Sequence, residues 1–551
     1  MSNGEKIESG IMCDGDVPRI PIGMHDFIEI REGDYLYVDK SEFITELVET
    51  GAYVPLLLRP NGFGKSVNLS MLDAFFNLEY KGNHWFDGLK VMGSPRAAGM
   101  MNRYPVIHLR MGGLPVDTFD SFLSGLGERM SELYRRYLYL LDSDNLMDWE
   151  YETFQDIVSM KAEESYLKAS LDMLCNHLRR HHDERVIVLI DDYEDPTNSA
   201  SEGTFDEIRR FLWSFYSRVL KGNGNLEMGI LTAEMMMTKA SNLSGDLNNL
   251  NIKCFLSYRY GERFGFTYPE VENICRTYGN PEASDEAIRW YGGYHYGDTD
   301  VCNPESFLRY IRSGFEAKRY WENRNRFDPV GMFLFDPDHC PYWSLLYLGG
   351  GSHYEGINEY ANFDRTDSFA FSLFSVLGLC GIIGPAPKGC KGTVVPNLEM
   401  YHVLSDAMIP GDLRPALDTF LDAAEVNDVP TMASVICNVF GSVNGRYSDT
   451  VHNDILFLAM IVMSRFGRYK VDFDRSSNLL MTANGSDVPN IAMRFCRPSS
   501  RFFGNHHKQA ERTLSRFYGE EHIQELKGHT ILYGVVFHDD AATIVSEERG
   551  L

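Results

Sequence analysis

Four residues of this chain combine the types and the spacing that bind phosphate groups. Gly62, Gly64, Lys65 and Ser66 lie within the segment Arg59-Pro60-Asn61-Gly62-Phe63-Gly64-Lys65-Ser66. Glycines adopt positive φ angles and let backbone N–H groups approach an anion, which the lysine ammonium group also attracts. A serine hydroxyl directly after that lysine ligates Mg²⁺ in such loops. The segment therefore predicts a site for ATP and Mg²⁺, with Arg59, Asn61 and Phe63 as further cofactor-binding residues.

The segment departs in one place from the usual pattern G-x-x-x-x-G-K-[ST], because Arg59 replaces its first glycine. Taken alone, two glycines followed by Lys-Ser are equally typical of a plain turn after a strand. Other residues are needed to decide between these interpretations.

Two adjacent acids follow a second apolar segment and favour phosphate chemistry. Arg185 to Ile190 ends in Asp191-Asp192, the Walker B arrangement of ATPases. We expect Asp191 to hold Mg²⁺ together with Ser66, and Asp192 to position or deprotonate the attacking water. Asp192 is one methylene shorter than the usual glutamate, so we expect slow hydrolysis. The alternative is a pair of acids that merely ends a strand.

A polar residue ends a third apolar segment, which runs from Met228 to Thr232. In P-loop ATPases a polar residue in this place senses the γ-phosphate, so Thr232 is the second expected catalytic residue beside Asp192. An ordinary hydroxyl at the end of a strand is the alternative.

Buried parallel strands and one helix are the elements that would position these residues. Tyr53 to Leu58, Arg185 to Ile190 and Met228 to Thr232 are short and apolar, as buried strands are. Pro55 argues against a central place for the first of them. Apolar residues recur at helical spacing after the phosphate segment, so we expect a helix that begins near Lys65 and directs its positive end at the phosphates.

Further segments, in the same order, resemble the AAA-ATPase-like proteins that carry a C-terminal PD-(D/E)XK nuclease-like domain. RPNGFGKS at Arg59 to Ser66 is similar to the RPRRFGKT loop of that family, and IDDYEDP at Ile190 to Pro196 is similar to its IDEYDKP. The other similar segments are Tyr37-Val38-Asp39-Lys40-Ser41, Tyr104-Pro105-Val106-Ile107, Leu247-Asn248-Asn249, Gly265-Phe266-Thr267, Trp290-Tyr291-Gly292-Gly293-Tyr294, Asn303-Pro304 and Pro396-Asn397-Leu398-Glu399.

The resemblance implies an α/β fold with several domains, as the length of 551 residues also suggests. We expect a disordered N-terminus at residues 1–17 and an AAA-ATPase-like P-loop domain with a helical lid at residues 18–315. A mostly helical connector would span residues 316–445. A restriction-endonuclease-like α/β domain would span residues 446–551.

Two departures from the family limit the ATPase activity that the resemblance implies. Thr232-Ala233 replaces a threonine-glycine pair, and Met235 to Met237 take the place of a basic residue. No arginine is therefore identified that would stabilise the transition state.

The nuclease-like part lacks the acids that its chemistry requires. Such sites use one acid from a helix, another from a strand and an E-x-K pair from the next strand to hold Mg²⁺ and orient water. The expected helix is Tyr447 to Arg465, and the expected strand positions are Leu480-Met481 and Asn490 to Phe495, where no carboxylate stands. Asp472 and Asp474 do not replace them. We expect a domain without nuclease activity that serves binding or assembly.

The charge balance bears on the partners of the chain. Its formal net charge of −26, from 78 acidic and 52 basic residues, disfavours nucleic acid. Arg494, Arg497, Arg501 and Lys508 leave a local basic patch open, but solvated charges beside an irregular loop are the simpler interpretation. Beyond the nucleotide, the expected partner is an unknown protein or a second copy of the chain.

The sequence also predicts an intracellular location, cytoplasmic or nuclear, without a membrane span. Its ten cysteines form no C-x-x-C pair, and the N-terminus lacks an apolar signal segment. The most apolar run, Phe369 to Ile383, is too short and too interrupted to cross a membrane, and we expect a buried helix that leads into a strand.

Three other groups of possible metal ligands have simpler interpretations. His181-His182 with Asp183, and His506-His507, are adjacent on helices and point to different faces. Asp336, Asp338, His339 and Cys340 lie among prolines, as in an ordinary loop.

These observations together predict a P-loop ATP-binding protein with slow Mg²⁺-dependent ATPase activity and an inactive nuclease-like domain. One alternative is a pseudo-ATPase interaction module without turnover. A second alternative is an ATPase-coupled DNA nuclease, which the missing acids disfavour.

Overall fold

The chain forms two compact units in a computed structural model, one up to residue 321 and the other from residue 384 onward. The structure describes residues 17–321 except 52, 144, 238–248 and 254–258, and then the stretches 384–385, 393–408, 414–443, 469–474, 478–483, 488–496, 504–519, 523, 526–538 and 541–550. Residues 1–16 and the run Phe369 to Ile383 lie outside these ranges. None of the described helices is both long and apolar enough to cross a membrane.

The first unit alternates helices with short strands. Its helices are α1 (Phe27–Glu32), α2 (Glu42–Thr50), α3 (Lys65–Phe76), α4 (Pro95–Ala98), α5 (Phe119–Arg135), α6 (Asp148–Val158), α7 (Glu164–His182), α8 (Asp195–Asn198), α9 (Glu202–Leu220), α10 (Tyr268–Thr277), α11 (Ala283–Tyr291) and α12 (Pro304–Arg312). Its strands are β1 (Pro55–Leu58), β2 (Val106–Arg110), β3 (Val186–Asp191), β4 (Leu226–Ala233), β5 (Asn251–Lys253), β6 (Phe266–Thr267), β7 (Tyr294–Tyr296) and β8 (Thr299–Cys302).

The central sheet has the strand order β2-β3-β4-β1-β5, and all its pairs are parallel. Every residue of β1 and β3 is buried, which explains why both segments read as continuous apolar runs. Parallel strands present their carboxyl ends at one edge, so the residues after β1, β3 and β4 meet there. This mixed α/β unit with a parallel sheet is consistent with a P-loop NTPase-like core.

The proline in β1 does not keep this strand from the centre of the sheet. β1 pairs with β4 on one side and with β5 on the other. Pro55 is the first residue of the strand, where a missing N–H group interrupts no ladder on the following residues. The preceding residue, Val54, accepts a hydrogen bond from Asn251 through its carbonyl group.

A small antiparallel sheet, with the order β6-β8-β7, and helices α10 to α12 complete the first unit. The start of helix α12 is well defined, because the Asn303 side chain caps its N-terminus and Pro304 occupies its first position. Leu36 and Val38 pack in one apolar cluster with residues of these three helices, among them Phe307. We call this part of the first unit, residues 261–312, the lid.

The second unit is built on a mixed five-stranded sheet. The described strands of this unit are β9 (Gly384–Pro385), β10 (Thr393–Val394), β11 (Tyr469–Asp474), β12 (Asn478–Ala483), β13 (Asn490–Cys496), β14 (Thr530–His538) and β15 (Ala541–Arg549), and its described helices are α13 (Leu398–Met408), α14 (Arg414–Glu425), α15 (Val429–Val443) and α16 (His506–Ser515). Strands β9 and β10 pair with each other in a separate two-stranded sheet, and β11 to β15 form the five-stranded one. Strands β11 to β15 follow their chain order, and only β13 and β14 pair in parallel.

Helices cover both faces of this second sheet. Leu532 packs with Leu514 of α16 in an apolar cluster, whereas Tyr533 donates a hydrogen bond to the carbonyl of Ala424 in α14, at 2.7 Å. Successive residues of a strand point to opposite faces, so α14 and α16 lie on opposite sides.

Candidate functional site

The loop between β1 and α3 forms a cradle of backbone amides. Gly62 and Gly64 have φ angles of +84° and +78°, in the left-handed region that favours glycine. Helix α3 begins at Lys65, and no side chain caps its N-terminus. The first N–H groups of a helix lack partners within it, so this uncapped end attracts an anion.

Lys65 projects back over the concave side of this loop. Its Nζ donates hydrogen bonds to the carbonyls of Arg59, at 2.9 Å, and Pro60, at 3.2 Å. The residue is 6% exposed and lines the cavity described below. An ammonium group has three donors, so two carbonyl contacts leave one N–H for a phosphate oxygen.

Three elements converge on the carboxylate of Asp191, at the end of β3. The Ser66 hydroxyl, from α3, donates to one oxygen at 2.6 Å, and the Thr232 hydroxyl, from β4, donates to the other at 2.5 Å. Asp191 is 2% exposed. The sequence predicted each of these residues separately, and the structure brings all three into direct contact.

Asp192 turns toward the cavity. Its φ angle of +52° lies in the left-handed region, which Asp tolerates better than most residues. A Cβ added at Gly112 would stand 2.8 Å from Asp192 Oδ2, so the glycine leaves room for the carboxylate. Burial raises the pKa of Asp192 to about 6, the charge of Asp191 adds to the increase, and Lys65 and Arg110 oppose it.

Arg110 is the cation that faces Asp192. It ends β2, lines the cavity, and places its Nε 3.8 Å from Asp192 Oδ2. The sequence identified no arginine that would stabilise the transition state, and Arg110 was not singled out. A charged residue at the carboxyl end of a neighbouring parallel strand was the available signal. Arg263 also lines the cavity, but Glu42 and Glu46 pair with it at 2.9 and 2.6 Å.

The cavity has a volume of about 540 Å³, and its lining contains both polar and apolar residues. The polar and glycine residues of the lining include Asn61, Gly62, Gly64, Lys65, Ser66, Arg110, Gly112, Gly113 and Asp192. The apolar residues of the lining include Ile22, Met24, Ile30, Leu36, Val38, Phe63, Phe266 and Leu308. A lining of both kinds suits a ligand that joins phosphates to a flat ring system.

Arg59 supports the loop from behind, and its side chain does not line the cavity. It is fully buried, and its guanidinium group donates to the carbonyls of Leu58, Lys253 and Tyr260. The same group lies over the ring of Tyr296, 4.6 Å from its centroid. Among the other predicted residues, Asp191 and Thr232 are buried beneath the cavity wall, and the remaining ones line it.

The lid contacts the phosphate loop directly through Asn303, which the sequence identified only as part of a motif. Its Nδ2 donates to the carbonyl of Asn61 at 3.2 Å, and a Cβ added at Gly62 would meet its Oδ1 at 2.6 Å. Phe63 adds a ring contact to Tyr294, with centroids 4.9 Å apart. Asn-Pro before a helix predicts a cap, but it does not reveal which loop the cap faces.

The positions expected for nuclease acids lie on neighbouring strands of the second sheet. Leu480 of β12 stands opposite Ala492 of β13. Ala492 belongs to the apolar cluster with Leu514 and Phe517, and Leu480 packs against it. Asp472 lies in β11 opposite Leu480, and the expected helix Tyr447 to Arg465 lies outside the described residues.

The remaining candidates also have defined places. Arg494 is 7% exposed in β13, with its guanidinium 5.3 Å from the centroid of the Phe517 ring, so it is not a solvated loop residue. His182 ends α7 and bonds Tyr139 at 2.9 Å. Within the described ranges, no group of three or more His, Cys, Asp or Glu could hold a metal ion. The residues Arg497, Arg501, Asp336, Asp338, His339 and Cys340 lie outside those ranges.

Comparison with known proteins gives two findings. Residues 21–241 match the sequence profile of a family described as predicted AAA-ATPase, and this span includes the phosphate loop, both acids and Thr232. The chain is also 28% identical over 449 residues to a protein of Azotobacter chroococcum mcd 1, described as an uncharacterized protein in the vnfD 5' region. That similarity covers 77% of this chain and 78% of the relative. The family match supports ATP binding and ATPase activity in the first unit.

Proposed function

We propose that the first unit binds ATP with Mg²⁺ and hydrolyses it slowly, while the second unit is an inactive nuclease-like domain used for binding or assembly. The observation that carries the proposal is the meeting of Lys65, the Ser66–Asp191 pair and Asp192 at one cavity. These residues come from distant segments of the chain, and a plain turn after a strand would not require them to meet.

The triphosphate would contact the polar and glycine residues of the cavity lining. The uncapped N-terminus of α3 would direct amides at it, and Lys65 would supply the positive charge next to them. The apolar residues of the lining, which include Ile22 and Phe266, would contact the nucleobase.

Ser66 and Asp191 would hold Mg²⁺. Both present oxygen ligands, which this ion prefers, and their side chains already lie 2.6 Å apart. Mg²⁺ would supply charge neutralisation on the phosphates. Thr232 would fix the second oxygen of Asp191, as its hydrogen bond does in the structure.

Asp192 would act as the base for the attacking water. The water oxygen forms a bond to the γ-phosphorus, one water proton passes to an oxygen of Asp192, and the bond from the γ-phosphorus to the bridging oxygen breaks. ADP leaves with the electrons of that bond, and inorganic phosphate is released. A pKa of about 6 leaves most of this carboxyl group ionised at neutral pH, as a base must be.

A pseudo-ATPase interaction module is the second candidate, and two contacts favour it. Lys65 is engaged by the carbonyls of its own loop, and Asp192 faces Arg110. If these contacts persist with nucleotide present, the groups that hydrolysis needs stay occupied, and the chain would bind a partner without turnover.

Nuclease activity is not proposed for the second unit. An active site would place carboxylates at positions such as Leu480 and Ala492, but apolar packing surrounds them. A plasmid incubated with the full-length chain and Mg²⁺ should remain supercoiled. Nicking that increases with protein concentration and disappears with a chelator would contradict the proposal.

Substitution of Lys65 tests the proposed nucleotide site. Lys65→Ala should weaken binding of a fluorescent ATP analogue by at least about tenfold, which corresponds to about 1.4 kcal/mol. Lys90→Ala is the matched control, because that lysine is 51% exposed, pairs with Glu42 near the surface and does not line the cavity. Equal affinity in both variants would refute the site.

Phosphate release from the wild-type chain separates the two candidate functions. The ATPase predicts release that requires Mg²⁺ and is lost in Asp192→Asn with ATP binding retained. The interaction module predicts binding without release at any nucleotide concentration.

A further inference from the structure

Two buried residues that the proposed reaction does not use follow directly after Asp192. Tyr193 is 2% exposed and Glu194 is 3% exposed. They lie between the end of β3 and the short helix α8, directly beside the residues that follow β4. Polar groups this deeply buried require partners, so their contacts show what they do.

These contacts tie the end of β3 to the end of β4. The Tyr193 amide donates to the Thr232 carbonyl at 3.2 Å. The Glu234 amide donates to Glu194 Oε1 at 2.7 Å, and the Met237 amide donates to the Tyr193 hydroxyl at 3.0 Å. These hydrogen bonds start one and two residues after Asp192 and end at Thr232, Glu234 and Met237, so they hold Asp192 and Thr232 at a defined distance.

The surroundings of Glu194 favour an uncharged carboxyl group. Within the described part of the chain its Oε2 has no hydrogen-bond partner. Among the described residues, the titratable groups that act on it or respond to it are Asp192, Glu234, Tyr193 and Tyr216, and each of them is an acid or a phenol. Burial raises the pKa of Glu194 well above its ordinary value, and the charge of Asp192 adds to the increase.

We propose that Glu194 is a positioning residue for ATP hydrolysis: its carboxyl group accepts the hydrogen bond of the Glu234 amide and so sets Asp192 relative to Thr232. The inference rests on the proposed function, because it concerns the same reaction. It differs from the proposed roles of Asp191 and Asp192, since Glu194 does not line the cavity and would contact neither the nucleotide nor the water. It acts through the backbone at the end of β4.

This role makes a specific demand on the side chain. The contact to Glu234 uses a carbonyl-type oxygen as acceptor, and the charge is not used. Glutamine has the same length and keeps that acceptor, so Glu194→Gln should preserve the tie. Alanine removes the acceptor, and aspartate withdraws it by one methylene, so both variants should release the residues after β4.

Steady-state ATPase kinetics of the full-length variants test whether position 194 needs only a hydrogen-bond acceptor of this length. Glu194→Gln should keep kcat and KM within about twofold of wild type, and Glu194→Ala should lower kcat by about tenfold with KM little changed. Hydrogen exchange at the Glu234 and Met237 amides should accelerate in Glu194→Ala and not in Glu194→Gln.

The pH dependence of stability supplies a readout that tests the uncharged state itself. A buried acid with a raised pKa loses stability as pH rises, because the unfolded chain ionises first. Glu194→Gln lacks that loss, so its stability relative to wild type should increase with pH.

Glu150 offers a matched control of opposite charge state. It is 5% exposed and pairs with Arg180 at 2.6 Å. Burial opposes its ionisation, but Arg180 and the Met147 amide outweigh burial, and the pKa of Glu150 is lowered. Glu150→Gln should therefore be less stable than wild type, by an amount that grows as pH rises.

Three outcomes would overturn the inference. A loss of kcat in Glu194→Gln as large as in Glu194→Ala would mean that the charge is needed. Normal kcat in Glu194→Ala would mean that the tie does not position the reaction. A wild-type chain without any turnover would overturn the proposed ATPase and this role together, whereas the first two outcomes leave the ATPase intact.

Discussion

Two adjacent carboxyl groups in this site have different surroundings, and the difference supports the roles proposed for them. Asp191 is 2% exposed and accepts hydrogen bonds from two hydroxyl groups, which hold both of its oxygens in place. Asp192 lines the cavity, has its Oδ2 3.8 Å from Arg110, and has a pKa raised to about 6 by burial. A fixed carboxylate suits the proposed role of cation ligand, and a carboxyl group with a raised pKa suits the proposed exchange of a proton.

The raised pKa of Asp192 predicts how hydrolysis depends on pH. A base acts only when it is ionised, so kcat/KM should rise with pH, level off above pH about 6, and fall about tenfold per unit below it. Phosphate release measured across this range, at saturating Mg²⁺, checks the prediction. A rate that stays constant through pH 6 would exclude Asp192 as the base in the free protein. Asp192→Asn should show only a low rate without this rise.

A substitution at Gly112 should affect the hydrolysis step more than the binding of ATP. A methyl group at Gly112 would stand 2.8 Å from Asp192 Oδ2, and the short carboxylate would have to move. Gly112→Ala should therefore lower kcat by about tenfold, with nearly unchanged affinity for ATP. Gly127→Ala is the control, because a Cβ there meets nothing within 4 Å in helix α5. Equal kcat in both variants would show that the position of this carboxylate is not critical.

At the scale of elements, local sequence patterns predicted the strands and the helix of the phosphate site. The apolar runs before Arg59, Asp191 and Thr232 are strands β1, β3 and β4, and α3 begins at Lys65 as expected. These signals are local, because burial and the helix start depend on neighbouring residues. The doubt that Pro55 raised was misplaced, since a proline at the first residue of a strand leaves its later pairs intact.

Contacts between distant segments are what the sequence did not disclose. Arg59 was expected at the cofactor, but its guanidinium group lies among carbonyls that include Tyr260, 201 positions away. Asn303 reaches Asn61 across 242 positions. Such pairs depend on the order of strands and on lid packing, which no spacing within one segment specifies. The same holds for the approach of Glu194 to Glu234.

Asn303 caps helix α12 of the lid and also contacts the phosphate loop, so we expect its substitution to change both the stability of the lid and the affinity for ATP. Asn303→Ala removes both the cap and the hydrogen bond to Asn61, so it should destabilise the first unit by about 1 kcal/mol and weaken ATP binding. Asn505 caps α16 in the second unit by the same kind of contact, to the Lys508 amide. Asn505→Ala should cost similar stability with unchanged ATP affinity, measured by titration of the fluorescent analogue. Identical affinities in the two variants would show that Asn303 serves only its helix.

At the scale of the whole molecule, the two units share one acidic chain, with a net charge of −26. A negative field repels nucleic acid at long range and attracts cations such as Mg²⁺, which the proposed ATP site requires. Every side chain of the proposed nucleotide site belongs to the first unit. The second unit contributes a sheet with helices on both faces.

Five of the six tryptophans lie in the described first unit, so tryptophan fluorescence reports mainly on that unit. The chain has six tryptophans, and the last stands at position 343, so none lies in the described second unit. Trp85, Trp149, Trp213, Trp290 and Trp321 lie in the described first unit. Unfolding followed by tryptophan fluorescence should therefore report mainly on the unit that holds the site.

A ligand that binds only the folded unit must raise the stability of that unit by mass action. At a concentration about a hundred times its Kd, ATP with Mg²⁺ should add about 2.7 kcal/mol to the free energy of unfolding followed by tryptophan fluorescence. Lys65→Ala should lose at least about half of this gain at the same ATP concentration, because a tenfold larger Kd leaves about 1.4 kcal/mol. Lys90→Ala should retain the full gain. A gain of equal size in Lys65→Ala would place the nucleotide elsewhere in the chain, since a ligand stabilises only the state and the site that it occupies.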